Sequence, residues 1–379
     1  MRLSEIADVS GLSRPTVETV VEGLVQQGWI KIDSPEEGAG RRSPGRPARR
    51  YSFNARAGHV VGVDIGAHTI SVRLASLRGE PIGHLHRPVT QAIAAEDRLR
   101  LTRETVFALL AQEGVGIDNL FAMVVGTPGT VAQGEQHVGK SPGLEGWTNL
   151  DIVAALQKTI RCRIELENDA NLAAVAECAS GVARESSDVL FLLLGERLGA
   201  GVITNGRLVR GFNGAAGELG HAPSGGPLER PPGLGAFESQ VNASAILSMG
   251  RRYFAANTGS LLGALCSEDV SKLTTEMVTR AAAEGDPAAT RALRSIARTL
   301  AKGLASPLLT LNSEMLVIGG GISRAGRIIT DLLEPELQKL LLFPPAIRLS
   351  TLGNDGVLVG AVRQAIERVQ TDVLDKVSA

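Results

Sequence analysis

Aromatic residues, cysteines and long apolar runs are all scarce in this chain of 379 residues. Aromatic residues make up only 3% of it, which argues against an aromatic-packed β-sandwich. The three cysteines, Cys162, Cys178 and Cys266, are widely spaced and odd in number, so they predict neither a disulfide framework nor a metal cluster. The sequence has no run of 18 apolar residues and no signal-peptide pattern. We therefore expect a cytoplasmic protein that does not enter a membrane.

Glycine content and charge favour a turn-rich α/β protein with a basic N-terminal region. The chain contains 44 glycines and 44% hydrophobic residues, and its formal net charge is −1. Its length suits two sizeable domains and a small one. Residues 38–56 contain six arginines and no acidic residue. Such a local charge is typical of a segment that contacts phosphates.

Residues 1–32 are predicted to form helix, turn, helix and strand. Ser13 is a natural N-cap, and Pro15 stands in the first turn of the second helix, where its missing N–H costs nothing. A short turn before a helix that begins with small polar residues is typical of a helix-turn-helix, whose second helix enters the major groove of DNA. On spacing alone, any helical hairpin fits nearly as well, and the adjacent arginines favour DNA binding. The predicted DNA contacts are Ser13, Arg14, Pro15, Thr16 and Thr19 in the helix and Arg41, Arg42, Arg46 and Arg49 in the basic segment. The alternative for the basic segment is a solvated linker, and both can be true.

Two similar β-hairpins, well separated in the chain, suggest a duplicated two-lobed fold. In the first, the apolar run HVVGVDIG ends at Asp64 and Gly66, and a second strand begins at Thr69. In the second, FLLLG and GAGVITNG flank a loop, and Asn205 with Gly206 forms the next turn. In such folds the paired turns face each other across a cleft and hold phosphates by backbone N–H groups.

An aspartate at the end of a predicted strand is placed to meet a ligand. The strand at residues 163–166 leads to Asp169, which is flanked by Asn168 and Asn171 and begins a helix. Ligands in α/β folds bind beyond the carboxyl ends of the strands. The ordinary alternative for Asp169 is a helix N-cap.

The stretch 211–238 combines two carboxylates and an imidazole with glycine-rich backbone. Glu218 and His221 lie close together in it, and Glu238 begins the helix-like run that follows. Carboxylates accept hydrogen bonds from hydroxyls, and an imidazole can donate or accept. These residues suit a small ligand that carries several hydroxyls.

Four motifs resemble those of the ROK family of repressors and sugar kinases, in the family's order and spacing. They are GVDIG (62–66), ENDAN (167–171), NGAAGELGH (213–221) and LVIGGGIS (316–323). The resemblance covers nearly the whole chain and implies an α/β, actin/hexokinase-like two-lobed fold preceded by a small winged helix-turn-helix domain. The implied boundaries are 1–37 for a truncated winged helix-turn-helix domain, 38–56 for a basic linker, 57–167 with 357–379 for the first lobe, and 168–356 for the second lobe.

The resemblance also implies roles for individual residues. Asp169 matches the catalytic base that deprotonates a sugar hydroxyl for attack on a γ-phosphate. The implied sugar-binding residues are Asn168, Asp169, Glu218, His221, Glu238 and Gly129. The implied nucleotide-binding turns contain Asp64, Gly66, Thr69, Gly195, Gly199, Gly201, Gly319, Gly320 and Gly321. The N-terminal region resembles the DNA-binding domain of the family's repressor branch.

Departures from the family pattern argue against zinc and against efficient use of ATP. Residues 222–237 lack the three cysteines that bind zinc with the histidine in other members, and structural zinc needs about four ligands. The first phosphate turn contains GAHT instead of GGTK, and the second contains GERLG where kinases carry a GTG-like run. Glu196 places a negative charge where polyphosphate would lie, and Arg197 adds bulk but can itself contact phosphate. We therefore expect no zinc, a vestigial Asp169, and ATP with Mg²⁺ only if the chain is an active kinase.

The start of the chain also departs from the family. The family's winged domain usually has a further helix, and Met1 stands where the second helix would begin. We expect either a start farther upstream or a trimmed domain, in which Val17, Val20 and Leu24 lose part of their cover.

Together these features predict a sugar-responsive transcriptional regulator, a repressor without enzymatic activity. It would bind operator DNA through the N-terminal domain and a sugar or amino-sugar effector in the cleft, as a homodimer or tetramer. The alternative is an ATP-dependent sugar kinase that uses Asp169 as base. A third possibility is a sugar-binding protein that acts through protein partners.

Overall fold

The computed structural model describes residues 1–33, 49–141, 143–148, 150–223, 233–254 and 260–378. The chain begins with a small unit of two helices and two strands, here called the N-terminal unit. Its elements are α1 (Leu3–Ser10), α2 (Arg14–Gln26), β1 (Ile30–Asp33) and β2 (Arg50–Phe53), and the two strands pair antiparallel.

Three buried side chains form the core of the N-terminal unit. Val17 and Val21 on one face of α2 pack with Tyr51 of β2. Residues 50–53, expected within the linker, pair with β1 instead because this pairing turns Tyr51 inward while Arg50 stays exposed. The predicted DNA contacts Arg41, Arg42 and Arg46 lie outside the described residues. Arg49 is described and exposed.

The N-terminal unit contacts the body of the protein through an aromatic pair and backbone hydrogen bonds. The rings of Trp29 and Phe121 have their centroids 5.6 Å apart and are tilted by 54°. The Leu77 N–H donates to the Ala55 carbonyl oxygen at 2.9 Å. These contacts attach the N-terminal unit to the sheet of the body that is first in the chain.

Two five-stranded sheets of the same topology form the body. The first contains β3 (His59–Ile65), β4 (Thr69–Ser76), β5 (Pro81–Pro88), β6 (Leu120–Thr127) and β7 (Arg163–Asn168), in the order β5-β4-β3-β6-β7. The second contains β8 (Val189–Leu194), β9 (Leu198–Thr204), β10 (Arg207–Val209), β11 (Met315–Gly319) and β12 (Ala346–Leu349), in the order β10-β9-β8-β11-β12. In each sheet the first strand is central, the next two form an antiparallel meander, and the last two pair in parallel on the other side. This repetition confirms the two-lobed fold predicted from the paired hairpins.

Helices cover both sheets and fill the space between them. The outer helices are α3 (Ala95–Gln112) and α4 (Ile152–Gln157) on the first sheet, and α6 (Glu238–Val241), α7 (Ala243–Phe254), α8 (Leu261–Leu265), α9 (Thr275–Ala283), α10 (Pro287–Leu311) and α11 (Arg327–Gln338) on the second. Two helices, α5 (Asp169–Ser180) and α12 (Gly356–Ser378), lie between the sheets and share an apolar core with both. They touch where a Cβ on Gly360 would lie only 1.9 Å from the Leu172 carbonyl oxygen. Within the described ranges, no helix is both long enough and apolar enough to cross a membrane.

Candidate functional site

Two hairpin turns occupy equivalent positions in the two sheets. The turn between β3 and β4 is closed by the Gly66 N–H, which donates to the Thr69 carbonyl oxygen at 2.8 Å. The turn between β8 and β9 is closed by the Gly195 N–H, which donates to the Arg197 carbonyl oxygen at 3.0 Å. Gly66 and Gly195 therefore lie in turns, and Thr69 begins β4 directly after the first turn. That these turns hold a nucleotide stays a prediction.

A third turn follows β11 and touches the second one. Gly319 ends β11, and Gly320 and Gly321 follow it. Gly320 has φ of +81°, and a Cβ there would lie 2.6 Å from the Leu194 carbonyl oxygen, so only glycine fits. Gly199 and Gly201 differ from the expectation, since both lie within β9, where they face helix α5.

A buried arginine that the sequence analysis missed holds the first turn in place. Arg98 of α3 is 1% exposed, and its guanidinium donates to carbonyl oxygens of the turn and of the chain before α3. The acceptors are Gly66 (2.5 Å), Ala67 (3.4 Å), Thr90 (3.1 Å) and Gln91 (3.3 Å). Burial lowers the pKa of Arg98 from its ordinary value. The signal in the sequence is an arginine next to Leu99, on the face of α3 that also carries Thr102 and Val106.

A side-chain hydrogen bond joins the first and second turns across the cleft. His68 Nε2 lies 3.0 Å from Glu196 Oε2, and both side chains are more than half exposed. Both residues belong to the turn sequences GAHT and GERLG, which differ from the phosphate-turn patterns compared above. The structure thus places a side-chain contact at the position where the two turns face each other.

A cavity of about 760 Å³ opens between the lobes beside this pair. The described residues that line it include Asp64, Asp169, Thr69, Gly320 and Arg324, which come from both lobes. Burial raises the pKa of Asp64 to about 7, and the charge of Asp169 adds to the shift. Burial also raises the pKa of Asp169. Asp64 therefore holds its proton up to about neutral pH, in a cleft that the Asp169 carboxyl also lines.

Asn168, and not Asp169, caps helix α5. Asn168 Oδ1 accepts from the Asn171 N–H at 3.1 Å, and its Nδ2 donates to the Gly129 carbonyl oxygen at 3.0 Å. Asp169 Oδ1 accepts from its neighbouring Ala170 N–H at 2.8 Å. The cap is therefore supplied by the preceding residue, while Asp169 lines the cleft. Gly129, Asn168 and Asp169 lie together, as predicted.

A buried ion pair beneath Asp169 was also missed by the sequence analysis. Glu167 Oε2 accepts from Arg210 Nε at 2.6 Å, and its side chain is 2% exposed. Glu167 Oε1 accepts from the Asn168 N–H and from Asn171 Nδ2, each at 2.9 Å. Because Arg210 follows β10 and Glu167 belongs to β7, this pair joins the two lobes. The ENDAN motif contains Glu167, but nothing in it identifies Arg210 as the partner.

The predicted sugar-binding carboxylates lie near Asp169. Burial raises the pKa of Glu218, and the charges of Asp169 and Glu238 raise it further, while His221 acts in the opposite direction. His221 Nε2 lies 3.9 Å from Glu218 Oε2, and the His221 side chain is half exposed. The fold thus brings Asp169, Glu218, His221 and Glu238 into one region from three separate segments.

Glu238 differs from the other members of this region because both of its carboxylate oxygens have donors from the protein. It begins α6 and is buried. Oε1 accepts from the Leu198 N–H at 2.9 Å and lies 2.8 Å from Arg197 Nε. Oε2 accepts from the Gly235 N–H at 3.0 Å. Glu238 is therefore held by the second turn and by the segment before α6.

Comparison with known proteins identifies the family. The sequence model of the ROK family matches residues 60–368. The chain belongs to the ROK family. The match spans both sheets and all the residues of the cleft described above, and it confirms the resemblance carried by the four motifs.

The relatives of this family member include both regulators and kinases. It is 24% identical to the xylose repressor of Caldicellulosiruptor bescii over 369 residues, which are 96% of this chain and 91% of the repressor. It is 30% identical to a glucokinase of Thermotoga maritima over 272 residues, 71% of this chain and 84% of the glucokinase. The crystal structure of a ROK family transcriptional regulator, a homologue of the E. coli MLC protein, shares the fold with a TM-score of 0.78 and 20% identity, over 97% of this chain and 93% of that one.

Proposed function

We propose that this chain is a sugar-responsive transcriptional repressor. It binds operator DNA through the N-terminal unit and a sugar or amino sugar in the cleft between the lobes. The observation that carries the proposal is coverage: the alignments with the repressor and the regulator extend over 96% and 97% of the chain, and that with the glucokinase over 71%. The regulators thus account for a part of the chain that this kinase match leaves out.

The N-terminal unit has the features that DNA binding requires. Arg14, Thr16 and Thr19 are exposed on α2, and Thr16 and Thr19 lie on the side away from buried Val17 and Val21. Such a helix can present its N-terminal side chains to a major groove. The arginines of residues 38–56 add positive charge for phosphates. We expect the protein to act as a homodimer or tetramer because operators are bound by paired units.

The cleft supports sugar binding without phosphoryl transfer. Asp169, Glu218 and His221 supply acceptors and a donor for hydroxyls. Polyphosphate fits poorly between the two turns, because the His68–Glu196 pair spans them and Glu196 repels negative charge. Zinc also fits poorly at His221, since residues 222–237 contain no cysteine. We therefore propose that the effector cycle needs neither ATP with Mg²⁺ nor zinc.

A mobility-shift assay tests the repressor. The probe is the DNA upstream of the protein's own gene, with and without D-xylose, D-glucose or N-acetyl-D-glucosamine. We expect a shift that one of these sugars changes, and an Arg14→Met, Thr19→Ala variant that loses the shift while still binding sugar. DNA binding that no sugar changes would refute sugar control, and no DNA binding would refute the repressor.

The second candidate is a sugar kinase, which the position of Asp169 favours. Asp169 lies in the cleft with Asp64, where a base could accept a hydroxyl proton. A coupled assay for ADP release with the same sugars decides between the candidates. Turnover that Asp169→Asn abolishes would support the kinase, and no turnover by the wild type supports the repressor.

A further inference from the structure

Arg197 makes two contacts that meet at the sugar-binding region. It lies in the turn between β8 and β9, and its side chain is 41% exposed. Its Nε lies 2.8 Å from Glu238 Oε1, and its terminal nitrogen donates to the Gly233 carbonyl oxygen at 2.8 Å. A planar guanidinium can hold two acceptors in fixed directions at once. Arg197 therefore ties the Glu238 carboxylate and Gly233 to the same turn.

The contacts of Glu238 leave a restricted set of directions for a ligand. An ionised carboxylate offers about four lone-pair positions. Arg197 and the Leu198 N–H approach Oε1, and the Gly235 N–H approaches Oε2. A hydroxyl of a ligand can then donate to the remaining position on Oε2. The orientation of that position depends on the side chain that fixes Oε1.

Charge gives Arg197 a second effect on the same region. Glu218, Asp169 and Glu238 are close enough for the last two to raise the pKa of Glu218, and Arg197 opposes that rise. Arg197 thus acts in the same direction as His221 on the pKa of Glu218, with the smaller effect of the two.

We propose that Arg197 is a positioning and specificity-determining residue of the sugar site, which acts by fixing the Glu238 carboxylate so that Oε2 alone accepts a sugar hydroxyl. This proposal rests on the proposed sugar-binding function. Arg197 does not touch the sugar itself. It determines which hydroxyl geometry the site accepts.

Calorimetric titration of the full chain with D-xylose, D-glucose and N-acetyl-D-glucosamine tests the proposal. We expect Arg197→Met to weaken binding of the preferred sugar about tenfold or more. Arg197→Lys should bind with intermediate affinity, because lysine keeps the charge but loses the fork that reaches Glu238 and Gly233 together. The control Arg207→Met, at an exposed arginine of β10, should bind as the wild type does. Wild-type affinity in Arg197→Met would overturn the proposal.

A double variant separates positioning from a general structural effect. If Arg197 acts through Glu238, Arg197→Met combined with Glu238→Gln should bind sugar as weakly as Glu238→Gln alone. Losses that add in the double variant would overturn the proposal. If Arg197→Met fails to fold, Arg197→Lys takes its place in both comparisons.

Hydrogen exchange without sugar tests the same contacts independently of the function. We expect the amides of Leu198 and Gly235 to exchange several-fold faster in Arg197→Met than in the wild type or Arg207→Met. Equal exchange would overturn the positioning role. If the wild type binds none of the three sugars, the proposed function fails on this panel, while the exchange result still decides whether Arg197 positions Glu238.

Discussion

Removal of Arg210 should destabilise the protein because it leaves the carboxylate of Glu167 buried without its cationic partner. The Glu167 side chain is 2% exposed, that of Arg210 is 25% exposed, and their atoms are 2.6 Å apart. Breaking a buried pair by removing one partner costs about 3–5 kcal/mol. Glu167 keeps its bonds to the Asn168 N–H and to Asn171 Nδ2, which moves the expected cost to about 2–3 kcal/mol.

Thermal unfolding of Arg210→Met measures this cost against a matched arginine. We expect the midpoint to fall by about 5 °C, since about 1 kcal/mol corresponds to roughly 2 °C in a chain of this size. Arg207→Met, three residues earlier and exposed, should change the free energy of unfolding by less than about 0.5 kcal/mol. The double variant Glu167→Gln, Arg210→Met should lose less than the sum of its parts, because it removes both charges.

Equal midpoints for Arg210→Met and Arg207→Met would refute this reasoning. They would mean that solvent reaches Glu167 once Arg210 is gone and replaces the lost partner. Additive losses in the double variant would mean that the two side chains stabilise the protein through separate contacts.

Three further predictions concern the pH dependence, the helix crossing and the second turn. The pKa of Asp64 is raised to about 7 in the folded protein, so folding binds a proton that the unfolded chain releases above about pH 4. The free energy of unfolding therefore falls as the pH rises from about 4 to 7 and levels off above 7. Asp64→Asn should remove about 2–3 kcal/mol of this loss when urea unfolding at pH 8 is compared with pH 5. Gly360→Ala should lower the free energy of unfolding by more than about 2 kcal/mol, since its Cβ would meet the Leu172 carbonyl oxygen. Gly23→Ala in α2 is the control, because no atom lies within 4 Å of its new Cβ. Hydrogen exchange should show that this control raises the local stability of α2 by up to about 1 kcal/mol. Glu196→Gln should bind a non-hydrolysable ATP analogue several-fold more tightly in calorimetry, because it removes a negative charge from the turn.

Each of these predictions has a result that contradicts it. The same pH dependence in Asp64→Asn would show that another group releases the proton. Equal effects of the two alanine substitutions would show that α12 can move away from α5 at little cost. Unchanged affinity of Glu196→Gln for the analogue would show that the charge at this turn does not exclude phosphates.

Local patterns in the sequence predicted the repeated hairpins and the position of Asp169. Apolar runs ending in Asp64–Gly66 and in Gly195 mark turns whose residues are neighbours in sequence, so a motif specifies them. The partner of Arg98 could not be predicted in the same way, because its acceptors are backbone carbonyls, which every residue carries. An arginine on the buried face of a helix indicates only that some partner exists.

The other contacts that the sequence did not predict join residues that are far apart in the chain. His68 and Glu196 are 128 residues apart, and Glu167 and Arg210 are 43 residues apart. The charge of Glu196 is evident in the sequence, but only the packing of the two lobes shows that its side chain meets His68. Tertiary packing also accounts for Gly201. The family resemblance implied a turn there, but Gly201 lies in β9 against helix α5.

Strand β6 links the N-terminal unit to the cleft over a fixed distance. Phe121, near its start, packs against Trp29 with the two rings tilted by 54°. Thr127, at its end and two residues before Gly129, accepts a hydrogen bond from Trp147 Nε1 at 2.7 Å. The eight residues of β6 form an extended strand about 25 Å long. A tilt of the first lobe at the cleft would therefore move the N-terminal unit with it. Energy transfer between one dye on the N-terminal unit and a second dye on either lobe measures this movement. When sugar is added, the distance from the N-terminal unit to the first lobe should stay constant, while its distance to the second lobe changes.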